Sequence, residues 1–382
     1  MKKIFFIHRQ STMFGELKAK FNGQMRACKN LGYDVYFLEW NGNEIDLVQF
    51  GTDKRKCMVK TPLIMPMETY YHIVYHSKLY KAAAKVFKTM HFDYVYMRSN
   101  LGMPTAKEMV AAVPQDTKFL VEIPTYPVDG EAKLRTGLKF KVAGILSDKY
   151  YPYIEKRVDL FTVIGSDVGG EFSGKPAINI QNGTDVDGIP ERQPDFDPDH
   201  VHLLMLANMN IYHGFDRVIE GLKKTDDKSR FVLHFAGKDI DGSLAKWKNL
   251  VDEYHLNDYV IFHGPVYGDN LTALFNQVDL GVSSLGLFRV NMDTGAVLKS
   301  REYMTRGLPF IAAAKDNLVP EDYQYNIKIP NDDSAVDFGE VYNFAMKMRA
   351  DADAPANMRK FADENMSWKS IFQRIFEKVN TL

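Results

Sequence analysis

Two cysteines in 382 residues, Cys28 and Cys57, are too few for a disulfide framework and suit a reducing cytosol. Cys28 lies in a helical pattern and reads as a small buried hydrophobe. No run approaches the roughly 18 consecutive apolar residues that a membrane span needs. The opening MKKIFFIHRQ is too short for a signal peptide and reads as a first strand running into a glycine loop. A formal net charge of −1 lacks the basic excess of a nucleic-acid-binding domain, so no nucleic-acid partner is expected. Asp185-x-Asp187 falls in a Pro/Asp/Gly-rich stretch and Asp351-x-Asp353 in a polar, Ala-rich one, neither at a strand end. His8, His72, His76, His91, His202, His234, His255 and His263 lack the close Cys or carboxylate spacing of a zinc site, so no metal and no other cofactor is expected. Repeats and low-complexity tracts are absent.

What the chain does have is apolar residues in alternating strand and helix periods. With 45% hydrophobic residues it can build two domains with separate cores. Strand candidates in the first half are 3–8, 34–39, 94–97, 118–123, 160–164 and 177–180, and segments such as GELKAKFNGQMRACKNLG between them have helical period. The plan repeats from His202 to about Lys328. Such alternation predicts an α/β fold of two doubly wound domains, each a parallel sheet covered on both faces, with ligands gathering at the carboxyl ends of strands. NGTDVDGIPERQPDFDPDH has no hydrophobic period and marks a linker.

Charge is uneven. Residues 1–190 hold 26 Lys+Arg against 20 Asp+Glu, and the remainder 22 against 29. Much of the positive excess gathers in 133–157, where Lys133, Arg135, Lys139, Lys141, Lys149, Lys156 and Arg157 interleave with apolar residues. This pattern suits an anionic membrane surface, and equally a core-packing helix with a solvated cationic face.

The stretch GAVLKSREYMTRGLPFIAAA, 295–314, sets a charged cluster at the start of a helix and then turns through Gly-x-Pro into an apolar strand. A helix opening near Thr294 or Gly295 would direct unpaired N–H groups at an anion, with Lys299 and Arg301 adding donors. Glu302 lies farther in, able to accept from ribose hydroxyls or to pair with Lys299 or Arg306. Gly307 ends the helix and Pro309 starts the next strand.

LKSREYMTRGLPFIAA resembles the C-terminal signature of family 4 glycosyltransferases, retaining enzymes of the GT-B fold that use nucleotide-activated sugars. In that family two glutamates with seven residues between them frame this helix, the first on the donor sugar and the second on the ribose. Glu302 takes the second position and Thr294 the first, with Asp293 adjacent as a substitute carboxylate. The resemblance implies two Rossmann-like domains facing across a cleft. The acceptor-side domain would be 1–187, completed by a terminal helix, 366–382, on which Trp368, Ile371, Phe372 and Ile375 pack. A linker, 188–200, and a nucleotide-sugar domain, 201–365, complete the chain.

The same resemblance marks the remaining site candidates. In LLMLANMNIYHGFDRVIEGL, His213-Gly214 replaces the family's Lys-Gly, and Arg217 is the candidate phosphate contact beside His213, or else a solvated helix arginine. Gly237 and Lys238 follow one strand, Gly264 another, and Pro265 and Val266 would pass along the nucleobase. Arg289 lies on a loop suited to phosphate or acceptor, and Thr294, Gly295, Ala296, Val297 and Leu298 form the donor-side helix opening. In the first half Gly15 would let backbone approach the pyrophosphate. Arg98, and Glu122, Thr125 and Tyr126 of EIPTYPVDGE, would face the acceptor or donor sugar, an element associated with bacterial polysaccharide assembly. Lys299, Arg217 and Glu122 are the catalytic candidates, the two cations stabilising the leaving diphosphate in place of a divalent ion.

The implied reaction is retaining transfer of a sugar from a nucleoside diphosphate, uridine by family frequency, to a hydroxyl of a glycan or lipid-linked acceptor. The protein would be cytoplasmic or peripheral at the inner face of the membrane. Thr294 and the missing Lys-Gly leave open a non-catalytic partner subunit of the same fold. A phosphorylase is less well supported, since no lysine is marked for pyridoxal phosphate.

Overall fold

The computed structural model describes residues 1–12, 17–61, 74–126, 138–295 and 297–382, with 138–143 by backbone alone. Gly15, His72, Lys133, Arg135 and Ala296 lie outside the described residues, as do the side chains of Lys139 and Lys141. The chain divides into two compact units, Met1–Gln181 with Trp368–Leu382, and Asn182–Ser367.

The first unit is a nine-stranded sheet in the order β4-β3-β2-β1-β5-β6-β7-β9-β8. Its strands are β1 (Lys3–Ser11), β2 (Asp34–Trp40), β3 (Glu44–Gln49), β4 (Arg55–Lys60), β5 (Tyr94–Arg98), β6 (Lys118–Tyr126), β7 (Leu160–Gly165), β8 (Glu171–Phe172) and β9 (Lys175–Ile180). Helices α1 (Lys18–Asn30), α2 (Tyr75–Phe87), α3 (Ala106–Ala112) and α4 (Leu138–Arg157) connect them. Neighbours from β2 through β9 are parallel, while β3 and β4 form an antiparallel extension on one edge and β8 pairs antiparallel with β9. The run Ile4-Phe5-Phe6-Ile7 is apolar at every position because β1 is covered on both faces. Phe5 and Ile7 enter one core, Ile4 and Phe6 the other. The terminal helix, α11 (Trp368–Asn380), buries Trp368, Ile371, Phe372 and Ile375 in the second of these cores, one apolar stripe at helical spacing.

The second unit is a wholly parallel sheet in the order β12-β11-β10-β13-β14-β15. Its strands are β10 (Val201–Leu206), β11 (Phe231–Ala236), β12 (Val260–Gly264), β13 (Leu280–Val282), β14 (Phe310–Ala312) and β15 (Asn326–Lys328). Helices α5 (Asp216–Lys224), α6 (Ser243–Glu253), α7 (Gly268–Gln277), α8 (Leu298–Arg306), α9 (Phe338–Ala350) and α10 (Ala354–Met366) cover it. The chain winds outward from β10 through β11 to β12, then restarts at β13 on the other side of β10. The sheet therefore reverses its winding between β10 and β13, the place where an open parallel sheet parts its loops and binds ligands.

Two local expectations change. The segment read as a linker is docked on this unit: buried Arg192 donates to the carbonyls of Gly307 and Val278, and its N–H donates to Arg306 O. Helix α8 opens at Leu298 rather than at Thr294 or Gly295. Thr294 bridges to Lys315, Gly295 N–H donates to Lys315 O at 2.9 Å and Lys315 N–H to Asp293 O at 3.0 Å, so this stretch is extended backbone. Gly307 ends the helix with φ 78°, and a Cβ there would lie 2.4 Å from Pro355 Cα, two independent reasons for glycine.

Candidate functional site

Three loops meet at the carboxyl ends of β10, β13 and α8's side of β14. After β10 the chain makes a short 3₁₀ turn, Ile211–His213, and Gly214 follows with φ 63°. A Cβ on Gly214 would lie 2.6 Å from Gly286 N, so glycine is what lets this turn press against the loop after β13. His213 N–H closes on Asn210 O, and Leu285 N–H donates to His213 O at 2.8 Å. The third loop leads into α8, where Ser283 Oγ and Ser300 Oγ lie 2.7 Å apart in the interior.

Lys299 Nζ lies at the junction, 2.9 Å from His213 Nδ1 and 4.8 Å from the centre of the Phe215 ring. The residue is half-buried, but its ammonium end points inward. His213 Nε2 lies 3.0 Å from Asn208 O, which can only accept, so that nitrogen carries the proton and Nδ1 is the acceptor, its one lone pair within reach of Lys299 Nζ and of Ser284 Oγ at 3.0 Å. Burial, reinforced by the Lys299 charge, lowers His213 to about 3 and holds it neutral. Loss of water around the ammonium lowers Lys299 well below the usual lysine range. No salt bridge reaches Lys299 among the described residues. A desolvated cation next to a neutral imidazole, at a helix opening with no side-chain cap, is arranged to take an anion.

The other expected phosphate ligands are engaged within the protein. Arg217 is 1% exposed and donates to the carbonyls of Ser334, Leu285 and Pro330, so it ties three loops together; a solvated arginine or a phosphate contact does not describe it. Arg289 makes a bidentate pair with Asp216 at 2.7 and 2.9 Å and a further contact with Asp333 at 2.6 Å. Arg301 is buried against Asp316. Glu302 pairs with Arg306 at 3.0 Å, four residues on, with 28% of its side chain exposed and its second oxygen unassigned to any donor among the described residues. Thr294 is exposed, and Asp293 is also exposed beside it.

A surface groove past β12 is lined by His263, Pro265, Val266, Tyr267 and Asn270. Tyr267 is 68% exposed, a free aromatic face that sequence reasoning did not single out. Gly264 has φ 67° and Gly237 φ 141°; a Cβ on Gly237 would collide with Ala207 O, whereas Lys238 beside it is exposed.

In the first unit, Glu122 is a fully buried residue inside β6, not a loop carboxylate past the strand. Its Oε1 takes Lys20 at 2.9 Å and Arg98 at 3.1 Å, and its Oε2 takes Gln24 at 2.8 Å and Tyr96 at 2.9 Å. Four donors fill a carboxylate's four acceptor sites, so Glu122 is a strut between β6, β5 and α1 and has no capacity left for a substrate. Its burial is outweighed by Lys20 and Arg98, which lower it to about 2. Arg98 is partly exposed, Thr125 is exposed, and Tyr126 meets Phe172 edge-on at 5.5 Å.

Residues 190–323 match the family described as glycosyl transferases group 1. Comparison with curated protein sequences gives no match. Similar solved structures include HepE of Anabaena in complex with UDP, at 14% identity and TM-score 0.56 over 100% of both chains. Sucrose-phosphate synthase of Thermosynechococcus elongatus is similar at 15% identity and TM-score 0.61, over 100% of this chain and 99% of that one. The pneumococcal O-GlcNAc transferase GtfA in complex with UDP and GlcNAc is similar at 13% identity and TM-score 0.56, over 99% of each chain. The chain is thus an α/β protein of the GT-B fold, and its second unit carries the sequence pattern of the group 1 glycosyl transferases.

Proposed function

We propose that the protein is a retaining glycosyltransferase that moves a sugar from a nucleoside diphosphate, with uridine preferred, to a hydroxyl of a glycan or lipid-linked acceptor in bacterial surface polysaccharide assembly. The observation that carries this reading is Lys299: a desolvated ammonium at the uncapped opening of α8, beside the β10/β13 reversal. Breaking the bond from anomeric carbon to phosphate leaves charge on the diphosphate, and fixed donors there stabilise it without a divalent ion. The Leu298 and Lys299 N–H groups and the Lys299 ammonium are those donors. The second oxygen of Glu302 would take the ribose, and Tyr267, Pro265 and Val266 would line the base. HepE, solved with UDP and with UDP-glucose, and GtfA, solved with UDP and GlcNAc, support the donor class.

Calorimetric titration with UDP, GDP and ADP tests the reading. Binding of a uridine nucleotide is expected, with Lys299→Ala weakening it roughly 10- to 100-fold, the loss of one hydrogen bond to a charged group. Absence of binding tighter than millimolar would favour the second reading, a non-catalytic partner subunit. That reading rests on Thr294 at the donor-glutamate position and on Arg217 and Arg289 being spent inside the protein. Retention is checked by the anomeric configuration of the product. For the membrane surface, charge reversal at Lys139 and Lys141 should reduce sedimentation with anionic vesicles, and unchanged sedimentation would refute it.

A further inference from the structure

The segment FDPDHVH, just before and inside the start of β10, brings Asp197 and His200 onto His202, so the expectation that His202 has no carboxylate at close spacing does not hold. His200 Nδ1 lies 2.8 Å and His202 Nε2 3.3 Å from the same oxygen, Asp197 Oδ2. All three donor atoms fall within 4.8 Å of one another. In tetrahedral coordination with bonds of about 2.0–2.2 Å, ligand atoms sit roughly 3.3 Å apart, so little rearrangement separates these contacts from a first coordination shell.

The surroundings hold each ligand in place. Asp197 Oδ1 accepts the N–H of Asp199 at 2.8 Å and of His200 at 3.3 Å, which leaves Oδ2 turned toward both rings. His202 N–H donates to buried Asp279 at 2.7 Å, and Arg349 clamps Asp279 while donating to His200 O at 2.6 Å. His202 Nδ1 is 2.7 Å from His234 Nε2, and His234 Nδ1 is 2.9 Å from His263 Nε2, a line of three imidazoles across β10, β11 and β12. One proton sits at each junction, so the three rings share one direction of donation. A metal on His202 Nε2 would require Nδ1–H to donate to His234, which would donate in turn to His263, the second-sphere partner that ligating histidines usually have. His200 and Asp197 are 41% and 34% exposed at the side chain, which leaves an open face for a water as fourth ligand.

We propose that Asp197, His200 and His202 form a site for a transition-metal cation of the zinc class, at the amino end of the second unit's sheet. It lies at the opposite end of the strands from Lys299 and does not depend on the donor-site reading. Imidazole and carboxylate donors suit Zn²⁺ or Co²⁺ rather than Ca²⁺ or Mg²⁺.

The test is titration of chelator-treated full-length protein with Zn²⁺ alone by calorimetry, and with Co²⁺ followed by absorption. One equivalent is expected, with the intense visible bands of four-coordinate Co²⁺ and no thiolate charge-transfer band. His200→Ala and Asp197→Asn should each weaken Zn²⁺ binding roughly tenfold or more, with metal-free melting unchanged, while Cys57→Ser has no effect. Cys57, with Glu44 and Asp46, is the other described cluster able to hold an ion. Failure of the wild-type protein to bind saturably, wild-type affinity in both Asp197 and His200 variants, a thiolate band, or loss confined to Cys57→Ser would each overturn the proposal. The spectrum is read on unaltered protein, so it decides even where a variant folds poorly.

Discussion

Lys299 is placed where its charge is costly without a partner and useful with one. Its pKa is lowered by desolvation in the free protein, and a diphosphate at the α8 opening would raise it again. Above the lowered value, binding must therefore bring a proton with it. Affinity for UDP is expected to fall as pH rises, and calorimetry in buffers of different ionisation enthalpy should show proton uptake that Lys299→Ala abolishes. Uptake that persists in the variant would assign the proton elsewhere. The place of Lys299 in a helix before a Gly-x-Pro turn was legible here. Arg217, Arg289 and Glu122 were not. The two arginines were read as charges near strand ends and Glu122 as a carboxylate past one, but a single sequence does not reveal that carbonyls and carboxylates 44 to 117 residues away already engage Arg217 and Arg289, or that donors 24 to 102 residues away fill Glu122 inside β6.

At the scale of elements, the helix after residue 294 was legible in its end more than in its start. Gly307 is needed both by its φ of 78° and by the 2.4 Å approach of Pro355, and both pressures act on one residue. The start shifted to Leu298 because the Thr294–Lys315 bridge is a long-range pairing with no local signal. Gly307→Ala should lower the stability of the second unit by on the order of 1–3 kcal/mol or more, from a positive φ and an overlap with backbone together. A change below about 0.5 kcal/mol in denaturant unfolding would mean that α10 yields freely at Pro355. The β3–β4 extension escaped the sequence for a different reason: EIDLVQ carries Asp46 in the middle of a buried run, which breaks the alternation, and RKCMVK lies on the edge of the sheet, where only Met58 and Val59 are buried.

For the whole molecule, apolar runs such as Ile4–Ile7 and the alternation of strand with helix made the two parallel sheets readable, since both faces of each sheet must be covered. The reversal between β10 and β13 emerges only from strand order. Several buried groups make the fold acid-sensitive. His8 and His234 are lowered by burial to about 3 from 6.5, so the unfolded chain takes up protons that the folded one refuses; that stability is present above pH 6.5 and is lost as pH falls toward 3. Glu122, lowered to about 2 from 4.5, adds stability above pH 4.5 that is lost as pH falls toward 2. Denaturation midpoints should drop between pH 7 and 4, and His8→Phe should flatten the drop, because His8 stacks on Phe21 at 3.9 Å and neither of its ring nitrogens has a hydrogen-bond partner among the described residues. A midpoint constant over that range would contradict these assignments.

A crystal structure of the protein soaked with UDP tests the central claim most directly. The distal phosphate is predicted within hydrogen-bonding distance of Lys299 Nζ and the first N–H groups of α8, with the Lys299 contact to His213 exchanged for the phosphate. UDP bound away from α8, with Lys299 still on His213, would contradict it.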